Sequence, residues 1–372
     1  MIGDNAMGSK FVLIDKDVLK RFCQEVFKSA GLWNEDAGYA AEVIIAADIR
    51  GIPSHGIGRL RRYVNGLQTG LMRPNAKMET VFETPSSIVV NANGGMGAPV
   101  SVKTMKKVIE KAGKAGAAFG CVRDSNHFGI AGYYAMMALE KDMLGIAMTN
   151  TAALGVPTFG REVMFGTNPL AFAAPADEET GFVLDMSSTV VTRGKIEVYE
   201  REDKPLPSGW AADKSGLPAH DAKSLLEDMF YRHGGGILPL GGSGEEFGGH
   251  KGYGLAVMVD ILCAVLCGAP TGTDICDTET SSARVSHFFG AIKIAAFRDP
   301  AAFRKDMDLV LKRLRECPPA KGAKQVYFAG QKEYEAEKFA DKLGVPVLSK
   351  TYDSLREIGL ESGIEAPTIK TA

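Results

Sequence analysis

Asp124-Ser-Asn-His-Phe-Gly-Ile-Ala-Gly132 lies between an apolar run, Ala117 to Val122, that reads as a strand and another, Ile130 to Leu139, that reads as a helix. His127 thus sits at a strand-to-helix corner. An imidazole titrates near neutrality, so modest shifts in its surroundings make it an acid or a base at physiological pH. Gly129 and Gly132 let backbone or ligand approach closely, and Asn126 is placed to orient the ring. A lone histidine is as often a satisfied structural residue as a proton-transfer group; these neighbours favour the second reading. Outward from the corner, the short runs Ser87–Val90, Leu144–Thr149, Leu170–Ala174 and Gly181–Leu184 read as strands, alternating with helices over Val100 to Ala115 and Ile130 to Glu140. Ala291–Phe297 reads as a further strand. The core is α/β.

Before it, the pattern is helical. Leu13, Val18, Leu19, Phe22, Val26 and Phe27 fall at helical spacing across Phe11 to Ala30. Asn34 caps a second helix, and Ser54 caps a third that runs through Leu60 and Tyr63 to Gly70. After the core, residues 200–250 read mostly as loops, Lys251 to Gly268 as a buried helix, and Phe303 to Glu316 and Glu335 to Leu343 as amphipathic helices.

Composition bounds the function. At 372 residues, 45% apolar and 24% charged, the chain is an ordinary globular one. A net charge of -2 without a sustained basic run argues against nucleic acid, while leaving small anions as partners. The six cysteines show neither Cys-x-x-Cys nor zinc spacing, and the six histidines no metal spacing, so no metal is expected. Cysteine usage points to a reducing compartment, the cytoplasm. Met1 to Lys10 lacks a hydrophobic signal core, and the longest apolar run, Gly254 to Ala269, is short for a bilayer and carries Asp260, so no membrane is expected.

The glycine-rich loop Gly242-Ser-Gly-Glu-Glu-Phe-Gly248 is a decoy. A dinucleotide fingerprint needs a preceding strand and G-x-G-x-x-G spacing. Here the spacing is longer, Pro239 interrupts any strand, and Glu245 and Glu246 would repel a pyrophosphate. Any dinucleotide must bind another way. A second corner, Pro53-Ser-His-Gly56, places His55 beside Ser54, with Arg50 ending the previous helix and Arg59 and Tyr63 at i, i+4. Arginine forks near a histidine suit a carboxylate next to a carbonyl or hydroxyl. For Arg61 and Arg62 a solvated basic face is an equal reading. His220, His233 and His287 read as surface or core residues.

Together these stretches resemble the malate/L-lactate dehydrogenase family that is distinct from the Rossmann-type enzymes, a family that also includes ureidoglycolate, sulfolactate and diketogulonate oxidoreductases and a cyclic-imine reductase. Ala47-Asp-Ile-Arg-Gly-Ile-Pro-Ser-His-Gly56, Asn126-His-Phe-Gly129, Phe165-Gly-Thr-Asn-Pro-Leu-Ala-Phe172, Leu184-Asp-Met-Ser-Ser188 and Gly249-His-Lys-Gly-Tyr-Gly254 match in the family's order. The resemblance implies a non-Rossmann NAD(P)-binding domain with a largely antiparallel sheet, and a helical domain built from both chain ends. The expected division is 1–80, an N-terminal helical part; 81–310, the NAD(P)-binding α/β core with inserted segments; and 311–372, packing with the N-terminal helices. It also implies a homodimer.

By the same resemblance, His127, Ser54 and His55 are catalytic, Arg50 and Arg59 bind a small carboxylate substrate, and Thr151, Asp185, Met186, Ser187 and Lys251 hold NAD or NADP. Phe328-Ala-Gly330 matches a cofactor-side loop less distinctly. Residues 223–248 depart from the family by length and charge, and Arg193 is a candidate contact for a 2′-phosphate. The expected activity is oxidation of a 2-hydroxy acid, malate foremost; reduction of a cyclic imino acid and a catalytically silent metabolite-binding protein are the alternatives.

Overall fold

The computed structural model describes residues 11–276, 278 and 282–370. The segment Met1 to Lys10, read above for a signal core, lies outside the described residues. The described residues open not on a helix but on strand β1 (Phe11–Ile14), which pairs antiparallel with a strand near the other end, Val345–Leu348. Four consecutive apolar residues suit a strand, but the partner is remote in sequence, so local spacing absorbed them into the helix that follows. That helix, α1 (Lys16–Ser29), starts where the Asp15 carboxylate accepts the N–H groups of Asp17 and Val18. Next comes α2 (Asn34–Ile49), preceded by Trp33 at the cap position; its N–H donates to Asn75 Oδ1 at 2.7 Å.

Two 3₁₀ turns, Pro53–His55 and Ile57–Arg59, lead into α3 (Leu60–Gln68). Ser54 does not cap it. The extended Gly56 breaks the chain between the turns, and the Ser54 hydroxyl turns to its neighbour His55 instead. These helices share one core, including Leu19, Phe27, Ile44, Leu60 and Tyr63, with Val345, Leu355 and Ile358 from the C-terminal end. Both chain ends therefore build one hydrophobic unit.

The second core lies under a seven-stranded sheet. Its first strands are β2 (Glu79–Thr84) and β3 (Ser87–Asn91). Helix α4 (Gly97–Ala115), β4 (Ala117–Ser125), helix α5 (Ala131–Met136), β5 (Met143–Thr149), β6 (Leu170–Ala174) and β7 (Phe182–Met186) follow. A smaller lobe carries α6 (Arg193–Arg201), β8 (Ala211–Ala212), α7 (Ala222–Tyr231) and β9 (Gly236–Ile237) around Ile196, Leu206, Leu225 and Ile237. Residues 200–250 are thus less loop-like than their Gly, Pro and charge content suggests, because this lobe needs few apolar anchors.

Helix α8 (Gly249–Cys263) precedes β10 (Val285–Lys293), α9 (Pro300–Arg315), α10 (Gln331–Leu343), β11 (Val345–Leu348) and α11 (Ser349–Ser362). The sheet order is β2-β3-β4-β10-β5-β6-β7, and only β3–β4 run parallel. This is the largely antiparallel, non-Rossmann sheet expected. The last strand was misplaced in sequence: β10 ends at Lys293, and Ile294–Ala296 form a 3₁₀ turn. Ser286 and His287 hid its beginning, since buried polar residues imitate a loop.

Strand alternation divides the sheet's two faces. Phe289, Ala291, Ala118, Val122 and Ala147 meet α4 and α5 on one side; Phe288, Cys121 and Met148 meet α8 on the other. The expectation that α8 is simply buried needs correction. Val259 and Cys263 pack inward, while Met258, Ile261, Val265 and Leu266 leave an apolar face exposed. By length and hydropathy the stretch Gly249–Cys267 could also cross a bilayer. Its acid is anchored to the protein: Asp260 Oδ2 accepts from Asn168 Nδ2 at 2.9 Å.

Candidate active site

At the end of β4 the chain is fixed from several sides before it reaches His127. Asp124, at φ 53°, pairs with Arg284, and the Ser125 hydroxyl meets His287 Nε2 at 2.9 Å. Asn126 donates both amide hydrogens to the carbonyls of Gly94 and Gly95, at 3.0 and 2.9 Å, and accepts from Ser282. Its amide hydrogens are spent on the loop before α4 and its oxygen is turned to Ser282, so it does not orient the imidazole as expected from sequence. Gly97 permits this seat: a Cβ there would lie 2.0 Å from the Asn126 carbonyl oxygen.

Tyr63 orients the ring instead. Its Oη lies 2.6 Å from His127 Nδ1, and the Gly129 N–H donates to the same nitrogen at 3.3 Å. His55 stacks on His127, with ring centroids 5.4 Å apart and planes at 25°. His55 Nδ1 meets Ser54 Oγ at 2.9 Å, and Arg59 Nε donates to the Ser54 carbonyl at 2.7 Å. The two sequence corners thus meet as one chain of groups: Tyr63, His127, His55, Ser54 and Arg59.

Electrostatics keeps both imidazoles neutral at pH 7. Burial pushes His127 well below its ordinary range, and the neighbouring His55, Arg59 and Arg62 add to the shift. Burial and then Arg59 bring His55 down to about 4. Burial raises the Tyr63 phenol to about 12, against the pull of Arg59 and Arg62. Beneath the corner, Asp48 is buried, accepts the Ile57 N–H at 2.5 Å, and is raised by burial to about 7. Asp48 lies within the first stretch that matches the family, but its sequence setting assigned it no role.

His287, which the sequence reads as a surface or core residue, is fully buried between Thr149 Oγ1 at 2.8 Å and Ser125 Oγ at 2.9 Å. Its ring stacks on Phe128 at 4.4 Å and 6°, and burial lowers it to about 3. The Thr149 hydroxyl donates to the Ser286 carbonyl at 3.1 Å, so its oxygen accepts from His287 Nδ1–H, leaving Nε2 to accept from Ser125. A ring held neutral in this way binds fewer protons folded than unfolded between pH about 3 and 6.5. Its stabilising effect is therefore complete above 6.5 and declines as the pH falls toward 3.

Asp48 and Asp185 act oppositely, since their raised values favour the folded state at low pH and lose that contribution as the pH rises through about 7 and 6. Three histidines (His55, His127, His287) oppose these two acids and Asp260, which burial also raises, but less far. The melting temperature is expected to fall between pH about 6.5 and about 4.5; a scanning-calorimetry series with the reverse slope would refute this balance.

Arg50 lies apart from the histidines. It is buried, pairs with Glu337 at 3.4 Å, and borders a cavity of about 260 Å³ together with Gly132, Asp185, Phe328, Lys332 and Glu333. Asp185 lies next to last in β7, and its Oδ2 accepts the Gly132 N–H at 2.7 Å, which ties this cavity to the helix that follows His127. Burial raises Asp185 to about 6, opposed by that hydrogen bond and by Arg50. Met186 and Ser187 continue from it, Ser187 Oγ donating to the Thr189 carbonyl at 3.0 Å.

Thr151 belongs to a second linked group. Its hydroxyl oxygen accepts the Thr167 N–H at 3.0 Å, and its own N–H donates to Asn168 Oδ1 at 3.2 Å. Asn168 in turn donates to Asp260 on α8, the helix whose first turn presents the exposed Lys251. The glycine-rich loop ends in Gly248, at φ 85°, which serves as the cap of that helix. Arg193 is exposed and paired with Glu197 at 2.9 Å. Among the described residues no group of three His, Cys, Asp or Glu could hold a metal ion.

Three comparisons bear on this geometry. The sequence profile of the family described as malate/L-lactate dehydrogenase matches residues 14–356. The chain is 40% identical over 355 residues to a malate dehydrogenase of Pyrococcus abyssi, covering 95% of this chain and 96% of that protein. It is 36% identical to a malate/(S)-sulfolactate dehydrogenase of Methanothermus fervidus, covering 92% and 95%. The solved malate dehydrogenase of Entamoeba histolytica superposes with a TM-score of 0.91 at 34% identity, covering 96% of this chain and all of that one. With sequence matched almost end to end, and a sheet that lacks the Rossmann order, the chain belongs to the malate/L-lactate dehydrogenase family.

Proposed function

We propose that the protein is an NAD(P)-dependent dehydrogenase of small 2-hydroxy acids, with malate and oxaloacetate as its pair. The observation that carries this reading is the neutral His127 imidazole stacked on His55 beside Arg59. Arg59 holds a substrate carboxylate, and Ser54 and His55 line the same corner. His127 takes the proton of the substrate hydroxyl during oxidation, and its protonated ring returns a proton to the carbonyl oxygen during reduction. Its lowered pKa makes it a ready base. A bound dicarboxylate supplies the negative charge that raises the ring for the reverse direction.

The cavity at Asp185 suits a nicotinamide dinucleotide by its donor set. The Asp185 carboxylate can accept ribose hydroxyls, while Arg50 and Lys332 offer cations to phosphates. Gly330, at φ 95°, lets its loop lie against Val183 of β7, where an added Cβ would come within 3.0 Å. By the family resemblance, Thr151, Met186, Ser187 and Lys251 add further contacts to the cofactor. The bound nicotinamide supplies the hydride acceptor; the chain's own part is orientation and proton transfer. The exposed apolar face of α8 and the 3₁₀ turn after it (Met258, Ile261, Val265, Leu266) suits a second copy of the chain, as a homodimer. Four buried free thiols, Cys23, Cys121, Cys263 and Cys267, accord with a reducing cytoplasm.

NADH and NADPH oxidation with oxaloacetate, pyruvate, 2-ketoglutarate, sulfopyruvate and one cyclic imine tests the reading, on protein first sized by sedimentation. Turnover of oxaloacetate by a species of twice the chain mass is the expected result. Turnover of the imine with silence on every keto acid would retain the cofactor and overturn the substrate class. Binding of either nucleotide without turnover of any substrate would leave a metabolite-binding protein.

A further inference from the structure

His127 Nδ1 receives two partners of different character. The Gly129 N–H, 3.3 Å away, can only donate. The Tyr63 hydroxyl, 2.6 Å away, can donate or accept. With the Gly129 N–H aimed at it, Nδ1 holds a lone pair in the resting ring, so the imidazole proton sits on Nε2 and Tyr63 donates. Among the described residues Nε2 has no hydrogen-bond partner. The ring in this tautomer cannot take a proton at Nε2, because that nitrogen already carries one.

Building on the reading of His127 as the proton-transfer group, we propose that Tyr63 is the positioning residue that lets His127 change tautomer, reversing its hydrogen bond from donor to acceptor as the ring takes up its working form. When Nδ1 carries the proton, Tyr63 Oη accepts it and Nε2 presents a lone pair to the substrate hydroxyl. Transfer of that hydroxyl proton to Nε2 gives an imidazolium whose Nδ1–H still rests on Tyr63. In reduction the same proton returns from Nε2 to the carbonyl oxygen, and Nδ1 keeps its own. Protons balance within substrate and ring, and Tyr63 remains neutral throughout, as its raised pKa requires.

The placement of Tyr63 supports this role. It projects from α3 in the helical unit's core, packed against Phe27 with centroids 6.4 Å apart, whereas His127 belongs to the sheet unit. One rigid element therefore holds the hydroxyl against a ring carried by another. Deleting the hydroxyl leaves the fixed Gly129 donor as the sole partner of Nδ1, which locks the resting tautomer.

Tyr63→Phe keeps the ring and its packing. It is expected to lower kcat by roughly 10²-fold or more, toward the roughly 10⁴-fold loss of a mis-set catalytic tautomer. Malate oxidation and oxaloacetate reduction should fall together, as the fixed reaction equilibrium requires, with substrate KM and NADH binding nearly unchanged. Imidazole ¹⁵N spectra of the resting protein should show Nε2 protonated in both forms. Wild-type kcat in Tyr63→Phe, or a resting ring protonated on Nδ1, would overturn the proposal. His127→Ala run in parallel separates the cases: if that variant also turns over normally, the assignment of His127 itself fails.

Discussion

His127→Ala is expected to lower kcat by roughly 10²- to 10⁴-fold, the ordinary contribution of a positioned acid–base group. NADH binding should stay near that of the parent. The imidazole touches Tyr63, His55 and the Gly129 N–H, whereas the residues proposed to contact the cofactor are held by other bonds: Asp185 by Gly132, and Thr151 by Asn168, which in turn binds Asp260. Removing the ring opens space beside Tyr63 without unseating these. Fluorescence titration with NADH together with steady-state rates measures both halves. Turnover within tenfold of the parent would end the assignment.

The parent enzyme carries a second signature of the same group. Because burial and the adjacent cations hold His127 well below 6.5, the base form persists as the pH falls through 6.5. The acidic limb of kcat/KM for oxidation, which reports the free enzyme, should therefore lie below that value. A limb centred at 6.5 would mean a solvated imidazole.

Much of this arrangement was legible in the sequence, and the misses share a cause. The corner at His127, the corner at His55 and the absence of a dinucleotide fingerprint could all be read from residue type and spacing. Their meeting could not, because it depends on Tyr63 of α3 reaching His127 in the turn after β4, from units far apart in the chain. Local pattern also failed wherever a partner was remote. Phe11–Ile14 looked helical until its strand partner at residues 345–348 was in place, and β10 looked shorter because its buried Ser286 and His287 are polar. Asn126 was credited with a role that Tyr63 fills, since sequence proximity to His127 outweighed a hydroxyl on another helix. Arg50 stood beside Ser54 and His55 in the sequence, yet its side chain faces the Asp185 cavity.

Gly56→Ala is the second large effect expected, and it tests Asp48. An added Cβ would lie 2.1 Å from Asp48 Oδ1 and 2.3 Å from Oδ2, so the carboxyl occupies the space a side chain would need. Asp48 has little freedom to yield: it is buried and bound to the Ile57 N–H, one residue beyond the glycine. Either the acid moves and leaves that donor unpaired, or the Ser54–His55 turn moves off His127. The first costs stability and the second costs rate. Overpacking of this kind is worth about 3 kcal/mol, and a displacement of the turn by about 1 Å is worth roughly 10²-fold in turnover. A double-mutant cycle with Asp48→Ala distinguishes this clash from a general intolerance of the turn. If the carboxyl is the obstacle, the double variant should be more stable than the sum of the single losses by about 1 kcal/mol or more. Strict additivity in chemical denaturation would show that Gly56 is required for some reason other than Asp48.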